Sequence, residues 1–234
     1  MAVLAGVGTT WYTWLEQGRD VTPSADALFR LAQALQLDPT ERQHLFDLAN
    51  LPQPLTRSTG PECIPESLSR MLASLTGQPA MVVGRRWDIL TWNRAAQALF
   101  GDYSRLPSDE RNILHMVFAN EEHRRLLVDW ENVARVTLAM FRADTARYAG
   151  DTDFERLIAT VTRLSPEFRE WWPRQDVLRK LASPKRIQHP LCGLMTFETV
   201  SLALQDPSDM KLIVYTPLEE DDTIAKLDAL LRGS

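Results

Sequence analysis

Residues 5–20 read AGVGTTWYTWLEQGRD. The turn-forming Gly6-Val7-Gly8 precedes two threonines suited to cap a helix, and a helix predicted over 9–17 stops at Gly18. Tyr12 and Leu15, three apart, can pack inward. Thr9, Thr10, Thr13 and Trp14 then lie on the side that a groove would meet. Short polar side chains near a helix N-terminus reach base edges or phosphates, and threonine can also pack its methyl against thymine. Thr9, Thr10, Thr13 and Trp14 are therefore candidate DNA contacts, with Arg19 as a phosphate contact. A plainer alternative makes Thr9 or Thr10 only the cap, Trp11 and Trp14 packing residues, and Arg19 a solvated charge.

Outward from this stretch the pattern stays helical. Ser24 is placed to cap a helix carrying Leu28, Leu31, Ala32 and Leu35 at helical spacing. Asp38-Pro39 opens another, with Leu45, Phe46, Leu48 and Ala49 on one stripe. At 51–65 the composition changes to LPQPLTRSTGPECIP, whose prolines deny the chain helix and ladder hydrogen bonds. This stretch is a linker, and it divides residues 1–50 from a second domain at 66–234.

In the second domain a helix is predicted over 66–75, followed by a turn at Thr76-Gly77-Gln78-Pro79. Two β-type runs, 80–83 and 87–92, flank Gly84-Arg85-Arg86 as a hairpin. Asn93 caps a helix through Phe100. The middle reads as helices over 109–118, 121–148, 152–164 and 166–182. Leu126, Leu127, Trp130, Val133, Val136 and Met140 mark the buried stripe of the long helix. Strands return at 183–188, 193–204 and 211–216, the last two joined by Asp206-Pro207-Ser208-Asp209, and a helix at 223–231 closes the chain. The fold class is thus α+β. An all-α domain precedes a five-stranded antiparallel sheet with helices against one face, the PAS-like arrangement.

The bulk numbers limit the function classes. At 234 residues and 44% hydrophobic content, the chain suits two modest globular domains. A formal charge of −5 argues against a protein that coats nucleic acid, yet a sequence-specific reader needs only local contacts. Cys63 and Cys192 form no CxxC pair, so neither a zinc site nor a disulfide framework is expected. No apolar run reaches the length of a membrane span and no signal peptide is evident, so a cytoplasmic protein is expected. His44, His115, His123 and His189 show no HExxH spacing, and no GxSxG or phosphate loop occurs. An enzyme is not expected, nor is a cofactor or a metal.

The run GVGTTWYTWLEQGRD followed by SADALFRLAQALQLDPTERQHLFDLA resembles the helix-turn-helix of Xre/Cro-like regulators, in the branch of MmyB-like regulators. Two helices precede the recognition helix in that fold. Here only MAVLAGVG stands before it, so the first helix and the start of the second are expected to be missing and DNA binding to suffer. Farther on, WDILTWN at 87–93, Arg111-Asn112, Trp130 with Arg135 and Arg142, Trp171-Trp172, His189-Pro190 with Gly193, and Val214-Tyr215 are similar in order to the ligand-binding domain of the same family. Two loops depart from the pattern. Asp206-Pro207-Ser208-Asp209 lacks a glycine, and Leu218-Glu219-Glu220-Asp221 replaces a Gly/Ser-rich segment.

The resemblance implies a DNA-binding transcription regulator, and a homodimer on an operator is expected because one recognition helix reads only a half-site. It also implies a small lipophilic ligand, with a fatty acid as the specific candidate. Trp87, Trp92, Trp130, Trp171 and Trp172 are expected around one interior of the second domain. The ligand contacts expected there are Trp92, Asn93, Phe118, Trp130, Val133, Arg135, Met140, Trp172, His189 and Leu194. Arg135, Arg142, Asn93 and His189 are the candidates for a carboxylate head group. The alternative is a regulator whose PAS-like domain is a ligand-free dimerisation or protein-interaction module.

Overall fold

The computed structural model describes residues 1–19, 21–51, 62–145, 148, 150–174, 184–204 and 209–233. The chain divides into two compact units, Met1–Thr59 and Gly60–Ser234.

The first unit holds α1 (Thr9–Glu16), α2 (Ala25–Ala34) and α3 (Pro39–Leu48). Local chemistry sets their ends. Ser24 accepts the Ala27 N–H, and Asp38 and Glu41 form a reciprocal capping box around Pro39. The threonines are not caps. Gly8 is the N-cap of α1 and offers no side chain, so Thr9 and Thr10 already belong to the first turn. Before Gly8, residues 1–6 close a helical turn: the Ala5 N–H reaches Met1 O at 3.0 Å, and the Val7 N–H reaches Ala2 O at 3.0 Å. Gly6, Gly18, Gln36 and Asn50 each follow a helical turn at positive φ (62°, 65°, 56° and 51°). Each is followed by a residue whose N–H bonds five positions back, so four successive turns end in the same Schellman cap. The buried apolar residues are Ala2, Ala5, Ala27, Leu28, Leu31, Ala32 and Phe46. Leu35 and Leu48, expected on the inner stripes, are exposed, and α1 buries nothing.

The second unit begins with α4 (Glu66–Ser74), β1 (Ala80–Val83), β2 (Ile89–Trp92) and α5 (Arg94–Phe100). Five helices follow: α6 (Ile113–Phe118), α7 (Glu121–Leu126), α8 (Trp130–Thr145), α9 (Thr152–Leu164) and α10 (Pro166–Trp171). Then come β3 (Lys185–His189), β4 (Gly193–Ala203), β5 (Lys211–Pro217) and α11 (Thr223–Gly233). The five strands form one antiparallel sheet in the order β2-β1-β5-β4-β3.

Alternation along the strands gives the sheet two apolar faces. Met81, Val83, Ile187, Met195, Phe197 and Tyr215 meet Ala96, Leu99, Phe100 and Leu227 of α5 and α11 on one side. Ala80, Val82 and Leu212 meet Leu68 and Leu72 of α4 on the other. Helix α4 thus packs on part of the face expected to be bare, while β4 residues 198–203 stay exposed. A third cluster, rich in aromatic residues, lies among α6, α8, α9 and α10.

Three departures from the sequence pattern have physical causes. The expected helix 121–148 breaks between α7 and α8. There Leu127 bridges Ile187 and the Val128 N–H bonds Arg186 O at 3.1 Å, so the chain turns extended to meet the sheet edge. The buried stripe of α8 is consequently Ala134, Thr137, Leu138 and Phe141, while Met140 is exposed and Val133 only half-buried. The helix expected from 109 starts at Ile113, with Asn112 as its cap. Trp87 is no strand residue: at φ 67° it completes the β1–β2 turn. The linker at 52–61, the end of the helix expected at 166–182 and most of the turn expected at 206–209 fall outside the described residues.

Asn93 ties α5 to the sheet. Its side-chain oxygen accepts from Ala80 N at 3.0 Å and Ala96 N at 2.8 Å, and its amide nitrogen donates to Leu75 O at 2.7 Å and Gln78 O at 2.8 Å. Replacing Asn93 with alanine strands four buried backbone groups and should cost roughly 3 kcal/mol in urea denaturation. Asn93→Asp keeps the acceptor but turns an oxygen on two carbonyls, and should be no better.

Candidate functional site

Thr9, Thr10, Thr13 and Trp14 of α1, and Arg19 beyond its end, are all exposed. The Thr13 hydroxyl donates to Thr9 O at 3.0 Å, which leaves its lone pairs outward. Arg19 sits 6.0 Å from the Trp14 ring centroid. The first turn of α1 carries no acidic residue, so the positive end of the helix dipole is uncompensated. Residues 1–50 hold only three basic residues, Arg19, Arg30 and Arg42, against six carboxylates. Affinity from phosphate neutralisation is correspondingly small.

The second unit contains a cavity of about 570 Å³ between α5, the turn that follows it, α6, α7 and the end of β3. Its apolar wall comes from Leu99, Phe100, Leu106, Met116 and Leu126. Tyr103, His123, Gln188 and His189 add polar atoms, and Asp102, Arg105, Glu122 and Arg125 carry charge at its edge. Arg105 and Arg125 are well exposed, at 86% and 75% of their side chains. The size and the mixture suit a small organic ligand.

The inner polar groups are neutral. His123 is buried, and its Nδ1 has no hydrogen-bond partner among the described residues. Burial, helped by the nearby Lys185 charge, holds its pKa down to about 3. Lys185 itself donates to the Tyr215 hydroxyl at 3.3 Å. Burial also pushes the Tyr103 phenol well above its ordinary value. The His189 ring is fixed on both sides: the Leu191 N–H reaches its Nδ1 at 3.3 Å, and the other bond goes to the Ala98 backbone. Burial lowers its pKa as well.

Of the ten residues expected at a ligand, His189 alone lines this cavity. Asn93 spends its whole amide on backbone groups. Trp92 packs edge-on against Tyr103, at 5.2 Å, but stays outside the lining. Phe118, Trp130 and Trp172 belong to the aromatic cluster with Trp87 and Trp171, so the tryptophans surround two interiors and not one. Val133 and Met140 lie on α8, away from its buried stripe. Leu194 is half-buried on β4, and its carbonyl takes the Lys226 ammonium at 2.9 Å.

The arginines are committed elsewhere. Arg135 pairs with Glu131 at 2.9 Å and lies 4.1 Å over the Trp171 ring. Arg142 donates to Trp171 O and, at 2.7 Å, to Trp172 O, which caps the end of α10. Tyr103 and His123 escaped the sequence reading because neither sits in a recognisable spacing. The one local signal was a histidine on a short amphipathic helix.

His123 makes stability depend on pH with a defined sign. The unfolded chain protonates this ring below 6.5, whereas the folded chain resists protonation down to about 3. Stability should therefore fall as the pH drops from 6.5 towards 3. His115 and His189, also shifted down by burial, act in the same direction. Urea midpoints measured across this range should fall less steeply for His123→Asn than for the parent protein.

Comparison with known proteins places both units. A family model described as the MmyB-like transcription regulator ligand binding domain matches residues 64–230, and a helix-turn-helix domain model matches residues 1–45. No curated protein matches the chain. Among the described residues no helix is long and apolar enough to cross a membrane. With its second unit matched almost from end to end, the chain belongs to the MmyB-like transcription regulators, DNA-binding proteins that join a helix-turn-helix to a ligand-binding domain.

Proposed function

We propose that this regulator works as a cytoplasmic homodimer whose PAS-like domain senses a small lipophilic molecule in the cavity at Tyr103, His123 and His189. The observation that carries this reading is an apolar-walled cavity of about 570 Å³ with the charged side chains of Arg105 and Arg125 at its edge. A fatty acid is the specific candidate. Its chain would lie along Leu99, Phe100, Met116 and Leu126, and its carboxylate would stay near Arg105 and Arg125 at the edge. The inner histidine and phenol carry no charge, and a carboxylate there would be left poorly solvated.

On the DNA side, Thr9, Thr10, Thr13 and Trp14 of α1 would read bases and Arg19 a phosphate. One such helix reads a half-site, which is why a dimer is required. A ligand can switch this output only if it binds two arrangements of the protein unequally.

Native mass spectrometry of freshly purified protein should release an apolar small molecule. Leu126→Trp, which fills the cavity from its edge, should abolish that release while leaving the fold intact. A consistently empty domain would instead support a ligand-free dimerisation or interaction module. In electrophoretic shift assays, Thr10→Ala with Thr13→Ala should reduce discrimination between operator and unrelated DNA by about tenfold. Arg19→Ala should weaken all sequences alike and lower the salt slope by roughly one. Unchanged sequence preference in the threonine variant would remove α1 from the recognition role.

A further inference from the structure

The described chain resumes after the interdomain stretch at Glu62, and this residue is seated on the turn between β1 and β2. One oxygen of the Glu62 carboxylate accepts the Arg85 backbone N–H at 2.7 Å. Two residues on, Ile64 packs against the cluster between α4 and the sheet. The seat exists because residue 84 is glycine. Gly84 does not have positive φ, so backbone conformation is not the reason. A Cβ there would stand 2.1 Å from Glu62 Oε2 and 2.6 Å from the carboxyl carbon. Burial pushes the Glu62 carboxyl up from its ordinary value, although the Arg85 N–H and the Arg85 and Arg86 charges pull the other way. The carboxylate is thus held where desolvation opposes it.

The same turn is fixed to the helices from its other end. Asn112, the cap of α6, donates to Arg86 O at 2.9 Å and Asp88 Oδ1 at 3.0 Å. The Ile113 N–H bonds Trp87 O at 2.9 Å. The Trp87 indole enters the aromatic cluster, 5.4 Å from Phe141, and its Nε1 donates to Asp144 Oδ2 on α8 at 2.8 Å. Lys211 of β5 reaches the same carboxylate oxygen.

We propose that the turn at residues 84–87 is a coupling clamp, holding the interdomain chain through Glu62 and resting on α6 and α8 through Asn112 and Trp87. A rearrangement of the helical layer then moves the point at which the chain leaves the sensor unit. The clamp is a bistable element of the sort that a switch requires, since the carboxylate is either seated or released to water. It stands independently of what occupies the cavity.

Hydrogen exchange on the full chain tests this, read at the Arg85 amide, whose N–H the Glu62 carboxylate accepts, with β5 amides as the control for an intact fold. Gly84→Ala and Glu62→Ala should each raise exchange at Arg85 by about tenfold, and Glu62→Gln, which keeps the acceptor, by no more than about threefold. Once Glu62 is alanine, a Cβ at residue 84 meets no carboxylate. The double variant should therefore exchange no faster than Glu62→Ala alone. Asp144→Ala, which touches neither Glu62 nor Gly84, should also raise exchange at Arg85 several-fold if the helices and the chain end are coupled. Unchanged exchange in Gly84→Ala, or an additive double variant, would overturn the clamp. Unchanged exchange in Asp144→Ala would overturn the coupling.

Discussion

The amide of Asn93 is the constraint on which the second unit depends. One planar group caps α5, anchors the start of β1 and closes the loop after α4, with two acceptor and two donor bonds at 2.7–3.0 Å. A carboxylate cannot do this, having no donors, and a hydroxyl has only one. Because α5 supplies Ala98, Leu99 and Phe100 to the cavity, the same amide sets the distance between that helix and the sheet. The cavity is therefore a product of the cap. Helix and sheet are tied at one end, and His189 is fixed by Ala98 near the other.

Much of the architecture was legible in the sequence because it is local. Ser24, Asp38-Pro39 and Asn93 cap the helices that their positions announce, and β1 and α9 run over the residues that periodicity marks. What failed was non-local. The break before α8 arises from the pairing of Leu127 with Ile187, sixty residues away, which no window around Leu127 contains. That break shifts the helix by part of a turn, so the inward residues are Ala134 and Phe141 where spacing favoured Val133 and Met140.

The candidate site was less legible for the same reason. Tyr103, His123 and His189 come from three separate segments, and only His189 stood beside a suggestive neighbour, Pro190. The tryptophans misled because size suggests a ligand wall, whereas ring geometry favours packing against one another. Trp172 stacks on Phe168 at 5.4 Å, and Trp130 tilts on Trp171 at 5.9 Å. Arg124 at 3.5 Å over Trp130 and Arg135 over Trp171 complete a layer of alternating cations and rings. An arginine among aromatic residues here finishes a stack and leaves no charge for a ligand.

The four Schellman caps of the first unit bear on how it meets DNA. α1 buries no residue, its N-cap Gly8 offers no side chain, and its C-terminal end is closed by backbone bonds around Gly18 at positive φ. A helix of eight residues held this way has little enthalpy opposing its fraying. Its ordering in a groove consumes conformational entropy that a better-packed helix would already have lost in folding. With α1 as the recognition helix, as proposed, operator recognition is expected to weaken steeply on warming, and that helix would act as a thermal limit on the regulator.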